Sequence, residues 1–155
     1  MTWISKNGSL WKRATDVCFS RVWSSIAQPV PNAVVTPLTY DVADFDPLGS
    51  WDIPSGVFTA PVDGYYDVKA TNGWATAAAT TCWIEIDKNN QTYVRGPHMY
   101  LNNTGAGQGI IVQALVPVLA GETITIAARQ NGSTTVQTQA GSARSYASIH
   151  LVTTG

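Results

Sequence analysis

Residues 58–68 read FTAPVDGYYDV, and the reading of this stretch decides the fold. Pro61 can end a strand without wasting a ladder donor, because proline has no N–H to contribute. Gly64 admits a tight turn. Beyond it the chain alternates: Tyr66, Val68 and Ala70 point one way, and Tyr65, Asp67, Lys69 and Thr71 the other, the pattern of a half-buried strand. The same pattern recurs downstream. In CWIEID (82–87), Ile84 and Ile86 share a face, Asp87-Lys88-Asn89-Asn90 supplies residues that tolerate positive φ, and QTYVRG resumes extended structure, which predicts a hairpin. ETITIAARQNG alternates Ile124 and Ile126 with Thr123 and Thr125, and SYASIHLV alternates Tyr146, Ser148 and His150 with Ala147, Ile149 and Leu151. No segment carries a helical apolar stripe. Eight or more short strands predict an all-β sandwich or jelly roll.

Composition narrows the partners. A chain of 155 residues suits one domain with one core. Charged residues make up 12%, against about 25% in an average soluble protein, so the expected surface is neutral and polar. Nine basic and ten acidic residues with no basic run leave no footprint for nucleic-acid phosphates. No stretch approaches the length of an apolar membrane span, and the N-terminus has no secretory h-region, so the expected product is soluble, is not sent through a secretory pathway and inserts in no membrane. Cys18 and Cys82 belong to no CxxC pair and read as buried free thiols, with a disulfide as the alternative.

The run GIIVQALVPVLAG (109–121) is apolar on both faces: Ile111, Leu115 and Leu119 on one, Ile110, Val112, Ala114, Val116 and Val118 on the other. A sandwich strand meets the core once, so the second face needs a cover, and a neighbouring subunit supplies it. Val112, Ala114, Val116 and Val118 are assigned to that contact.

Gly56-Val57-Phe58-Thr59-Ala60-Pro61-Val62-Asp63-Gly64-Tyr65-Tyr66-Asp67-Val68 resembles the signature of the C1q/TNF-like domain, in which Phe-x-Ala-Pro closes one strand and Gly-x-Tyr-x-apolar opens the next. Supporting landmarks fall in order: Gly49-Ser50-Trp51-Asp52, Asp87-Lys88-Asn89-Asn90, Leu119-Ala120-Gly121-Glu122-Thr123-Ile124 and the closing Ser145–Leu151 pattern. Ser148 and His150 depart from the usual glycine and apolar residue of the last strand. The resemblance covers about residues 20 to 152 and implies a ten-strand jelly roll that assembles as a homotrimer. It carries over no calcium ligands.

The first residues lie outside that pattern. Asn7-Gly8 between two short runs predicts a type I′ hairpin whose Trp3 and Trp11 have no core of their own. The chain therefore divides into an anchoring hairpin, 1–20, and a C1q-like domain, 21–155. The run NGSLWKRATDVCFSRVW (7–23) is similar to a short module near the ends of minor tail proteins of actinobacterial phages. That likeness implies a phage virion protein made in the host cytoplasm, bound to other virion proteins through Trp3 and Trp11, and on the tail in preference to the head. A capsid decoration or head-fibre protein of the same build, and a bacterial C1q-like adhesin, are the alternatives.

Catalytic and cofactor signatures fail in turn. His98 and His150 lack an activated nucleophile context, no GxSxG elbow is present, and Cys18, Cys82, His98 and His150 lack the short paired spacings of a zinc site. The expectation is no enzyme, no cofactor and no metal. Gly105-Ala106-Gly107-Gln108-Gly109 is followed by a strand pattern and no Lys-Ser/Thr pair, so it reads as a loop. Asp41, Asp44, Asp46 and Asp52 form the densest acidic group and read as solvated loop carboxylates. Loops 96–108 and 131–143, long and uncharged apart from His98, are the candidates for recognising host-surface glycans, with Tyr100 as an aromatic platform and Asn102, Asn103 and Gln137 as hydrogen-bonding groups.

Overall fold

A computed structural model describes residues 3–4 and 10–11 as backbone, and residues 18–75, 80–102 and 108–153 in full. Along the chain run β1 (Trp3–Ile4), β2 (Leu10–Trp11), β3 (Phe19–Trp23), β4 (Pro29–Val30), β5 (Thr36–Pro37), β6 (Val42–Phe45), β7 (Trp51–Asp52) and β8 (Val57–Thr59). There follow β9 (Gly64–Trp74), β10 (Thr80–Lys88), β11 (Gln91–Arg95), β12 (Met99–Leu101), β13 (Gln108–Val118), β14 (Thr123–Gln130), β15 (Val136–Gln139) and β16 (Tyr146–Thr153). Among the described residues there is no helix. One sheet has the order β11-β10-β14-β8-β7, with β12 on β10 and β5 on β14; the other has β4-β15-β9-β16-β3-β6, with β13 on β9. The strands within them pair antiparallel, and the two sheets enclose one core.

The opening stretch behaves as its alternation predicts. Phe58, Tyr66, Val68 and Ala70 are fully buried, and the rings of Phe58 and Tyr66 meet edge to face at 5.8 Å. Each large side chain buried here contributes roughly 1.5–3 kcal/mol. Tyr66 Oη donates to the Val62 carbonyl at 2.7 Å, which closes the turn between β8 and β9. Gly64 is needed for a different reason from the one expected. Its φ is not in the left-handed region; a Cβ there would lie 2.5 Å from the Thr153 carbonyl oxygen. The glycine admits a neighbouring strand rather than a turn. At the β10–β11 hairpin the turn chemistry is as read, with Asn89 and Asn90 at φ 51° and 63°.

The two-faced strand β13 requires a correction. Val116 stands opposite Tyr66, Ala114 opposite Val68 and Val112 opposite Ala70. Opposed residues share a face, so this set follows β9 into the sandwich: Val112, Val116 and Val118 lie in the core and Ala114 packs against it. Those side chains are not on the surface left for a second subunit. Leu115 is, at 52% exposure.

The sandwich also begins earlier than residue 21. Cys18 is in the core, its carbonyl accepts from Leu151 N at 2.8 Å, and β3 starts at Phe19. Part of the 7–23 run is thus sandwich strand. Both cysteines are free and buried; burial pushes the Cys18 thiol up to about 11 and the Cys82 thiol up to about 12.

Candidate functional site

The outward face of the β9 sheet is the most extensive candidate, and the register builds it row by row. Leu115, Asp67, His150 and Phe19 lie across β13, β9, β16 and β3; Gln113, Lys69, Ser148 and Arg21 form the next row, and Ile111, Thr71, Tyr146 and Trp23 the one after. Phe19 holds the edge, with its ring 5.5 Å from Phe45 and 6.0 Å from His150. Tyr65 and Leu119 extend the apolar surface at one end, beside a depression of about 360 Å³ that also takes in Pro117. Several polar groups in the middle are paired in place. Gln113 Nε2 donates to both Asp67 oxygens at 2.9 and 3.1 Å, Arg21 pairs with Asp44 and lies over the Tyr146 ring, and Trp23 Nε1 donates to Asp44 at 2.9 Å. The face presents large apolar groups around hydrogen-bonded polar ones, a surface suited to association.

A second cluster, which sequence reasoning missed, lies on the outward face of the other sheet. Glu85 is fully buried; its Oε2 accepts from Arg95 Nε at 3.0 Å and from Trp83 Nε1 at 3.4 Å, while its Oε1 has no partner. Trp83 is stacked on His98 with centroids 4.5 Å apart, and the guanidinium groups of Arg95 and Arg129 each lie 5.5 Å from its ring. Burial, then the nearby Glu85, pushes the Asp87 carboxyl above its ordinary value. The signal was available: in a chain with so few charges, Trp-Ile-Glu-Ile-Asp sets two acids on the face opposite Ile84 and Ile86.

The proposed recognition residues are not gathered by strand pairing. Tyr100 is 61% exposed on β12, opposite Thr81 in one sheet, whereas Gln137 is exposed on β15, opposite Pro29 in the other. Asn102 is exposed beside β12, and Asn103 lies outside the described residues, as do residues 103–107 of the glycine-rich run. Trp3 and Trp11 stand opposite each other in the β1–β2 pair; the Asn7-Gly8 turn lies outside the described residues.

Each acidic loop residue has its own local work. Asp41 accepts from Ser25, Asp46 from Ser20, Ser50 N and Trp51 N, and Asp52 from Ser55. Among the described residues no three His, Cys, Asp or Glu side chains group as metal ligands.

No protein-family model and no curated protein sequence matches the chain. Solved structures do. The globular domain of zebrafish complement 1qA protein is similar over 88% of this chain and 98% of its own, at TM-score 0.66 and 13% identity. Eiger TNF from S. frugiperda is similar over 90% and 94%, at 0.63 and 12%, and murine APRIL over 88% and 99%, at 0.65 and 8%. At such identities the likeness is one of fold, and with the two antiparallel sheets it establishes the chain as an all-β, C1q/TNF-like jelly roll.

Proposed function

We propose that the chain is a non-enzymatic structural protein of a phage virion, a homotrimeric minor tail protein at the tail tip that contributes to attachment on host-surface glycans. The observation that carries the trimer is the exposed apolar set Leu115, Tyr65, Phe19 and Phe45 on one face of a C1q/TNF-like fold. Left in water, such side chains forfeit roughly 1.5–3 kcal/mol each, enough in combination to offset the cost of association. The virion assignment is supported by the likeness of the run at 7–23 to a phage minor-tail module, with Trp3 and Trp11 as the residues that would hold another virion protein.

Light scattering on the purified chain tests the trimer: the expected mass is three times that of one chain, and a monodisperse monomer at micromolar concentration overturns it. Gold-labelled antibody on particles from infected cells tests the address. Label at the tail tip is expected; label on the head supports the decoration-protein alternative, and particles without label overturn the virion role.

A further inference from the structure

We infer that a glycine-floored cleft at one end of the β9 sheet binds a single acidic pyranose, a sugar of the hexuronic acid class. This deepens the glycan reading above and rests on it for its biological setting. The cleft measures about 420 Å³, near the lower end of small-molecule sites, and lies where β9, β13 and β15 meet the turn before β16.

Its floor is the pair Gly73 and Gly109, directly opposed in the β9–β13 register. Neither has a left-handed φ. At Gly73 a Cβ would press on Gln139 Cβ at 3.0 Å and Arg144 Cβ at 3.3 Å, so packing asks for glycine there. At Gly109 a Cβ would meet only the Asn72 carbonyl oxygen, at 3.8 Å, an ordinary contact. Among the described residues nothing demands a glycine at 109. What its missing side chain provides is open space above the sheet.

The walls carry the chemistry. Arg144 is exposed at the rim, and among the described residues its guanidinium has no hydrogen-bond or ion-pair partner, whereas Arg21, Arg95 and Lys88 are each paired. A planar guanidinium presents two parallel donors, the complement of a carboxylate. Gln108 and Gln139 line the cleft with amides that both donate and accept, as sugar hydroxyls require. Thr71 Oγ1 and Gln108 Oε1 are buried acceptors without a partner at the same place, and a ligand hydroxyl reached by a small side-chain rotation would satisfy one of them. Ile111 offers an apolar wall to the C–H face of a ring. One cation, several neutral hydrogen-bonding groups and one apolar wall describe a ligand with a single carboxylate on a polyhydroxylated ring.

The test uses the full chain titrated with glucuronate, glucose and acetate, followed by calorimetry or ligand-observed NMR. Glucuronate is expected to saturate below about 10 mM, with glucose and acetate at least about tenfold weaker. Arg144→Ala should weaken glucuronate by about tenfold, and Gly109→Val, which places a strand-favouring side chain in open space, should abolish binding at an unchanged melting temperature. Acetate binding as tightly as glucuronate, no saturation by glucuronate, or wild-type affinity in folded Gly109→Val each overturns the inference. Light scattering on the same samples separates the two readings: a trimer that ignores glucuronate removes the cleft alone, and a monomer that binds it removes the trimer alone.

Discussion

Glu85 Oε2 and Arg95 Nε meet at 3.0 Å across the β10–β11 pair, yet the Glu85 side chain is 1% exposed and that of Arg95 45%. The arginine reaches in from solvent to neutralise a carboxylate that cannot reach water. Arg95→Ala should therefore cost more than an exposed ion pair is worth, about 2–3 kcal/mol in urea denaturation, because it leaves a buried charge supported only by the Trp83 N–H. Adding Glu85→Leu should recover most of that loss. A loss below about 0.5 kcal/mol for Arg95→Ala would show that the carboxylate is satisfied without it.

Two carboxyls set opposite pH dependences. Asp87 titrates above its ordinary 3.8 in the folded chain, because burial and then Glu85 disfavour its charge, so the folded state binds a proton first and stability rises as pH falls through that raised value. Glu122 is held down to about 2, first by the Leu119 N–H and then by Lys88, so its contribution is full above 4.5 and is lost as pH falls from 4.5 towards 2. Melting temperature against pH should thus rise on mild acidification and then fall. Asp87→Asn should remove the rise and Glu122→Gln should reduce the fall; a rise that survives Asp87→Asn assigns it to another group.

Much of the sandwich was legible because β9, β10, β14 and β16 each have one polar and one apolar face, so period-two alternation fixes which side is inward. At β13 that logic has nothing to grip. Both faces are apolar, and only the register with β9, a long-range fact, places Val112 and Val116 inside and Leu115 outside. The cleft was illegible for a related reason: Gly73, Gly109 and Arg144 are neighbours through strand pairing and a turn, with no spacing along the chain to announce them. Loop-like composition singles out Tyr100 and Gln137 but does not say which sheet each joins; strand pairing places them in different sheets.

The two thiols give a probe of native packing. With burial raising Cys18 to about 11 and Cys82 to about 12, both are protonated and screened at pH 8, and neither should react with a disulfide reagent in the native state. Two equivalents should react on unfolding in guanidinium. One fast native equivalent would show that one of the two thiols is not buried in the native sandwich.

Adjacent residues on β13 allow assembly and folding to be separated. Leu115 is 52% exposed and Val116 fully buried, so the same substitution at each asks a different question. Leu115→Asp puts a carboxylate on the outward face, where a monomer can hydrate it but a packed subunit interface cannot. The expected product is a folded monomer, with melting cooperative and mass reduced to one chain. Val116→Asp puts the carboxylate beside Tyr66 and the sandwich core, where its desolvation costs several kcal/mol, enough to unfold a domain of ordinary stability. Light scattering and circular dichroism read the two outcomes together. If Leu115→Asp remains a trimer, the outward face of β13 is not the contact; if Val116→Asp yields a folded monomer, Val116 belongs to the interface and the register-based placement of this strand is wrong.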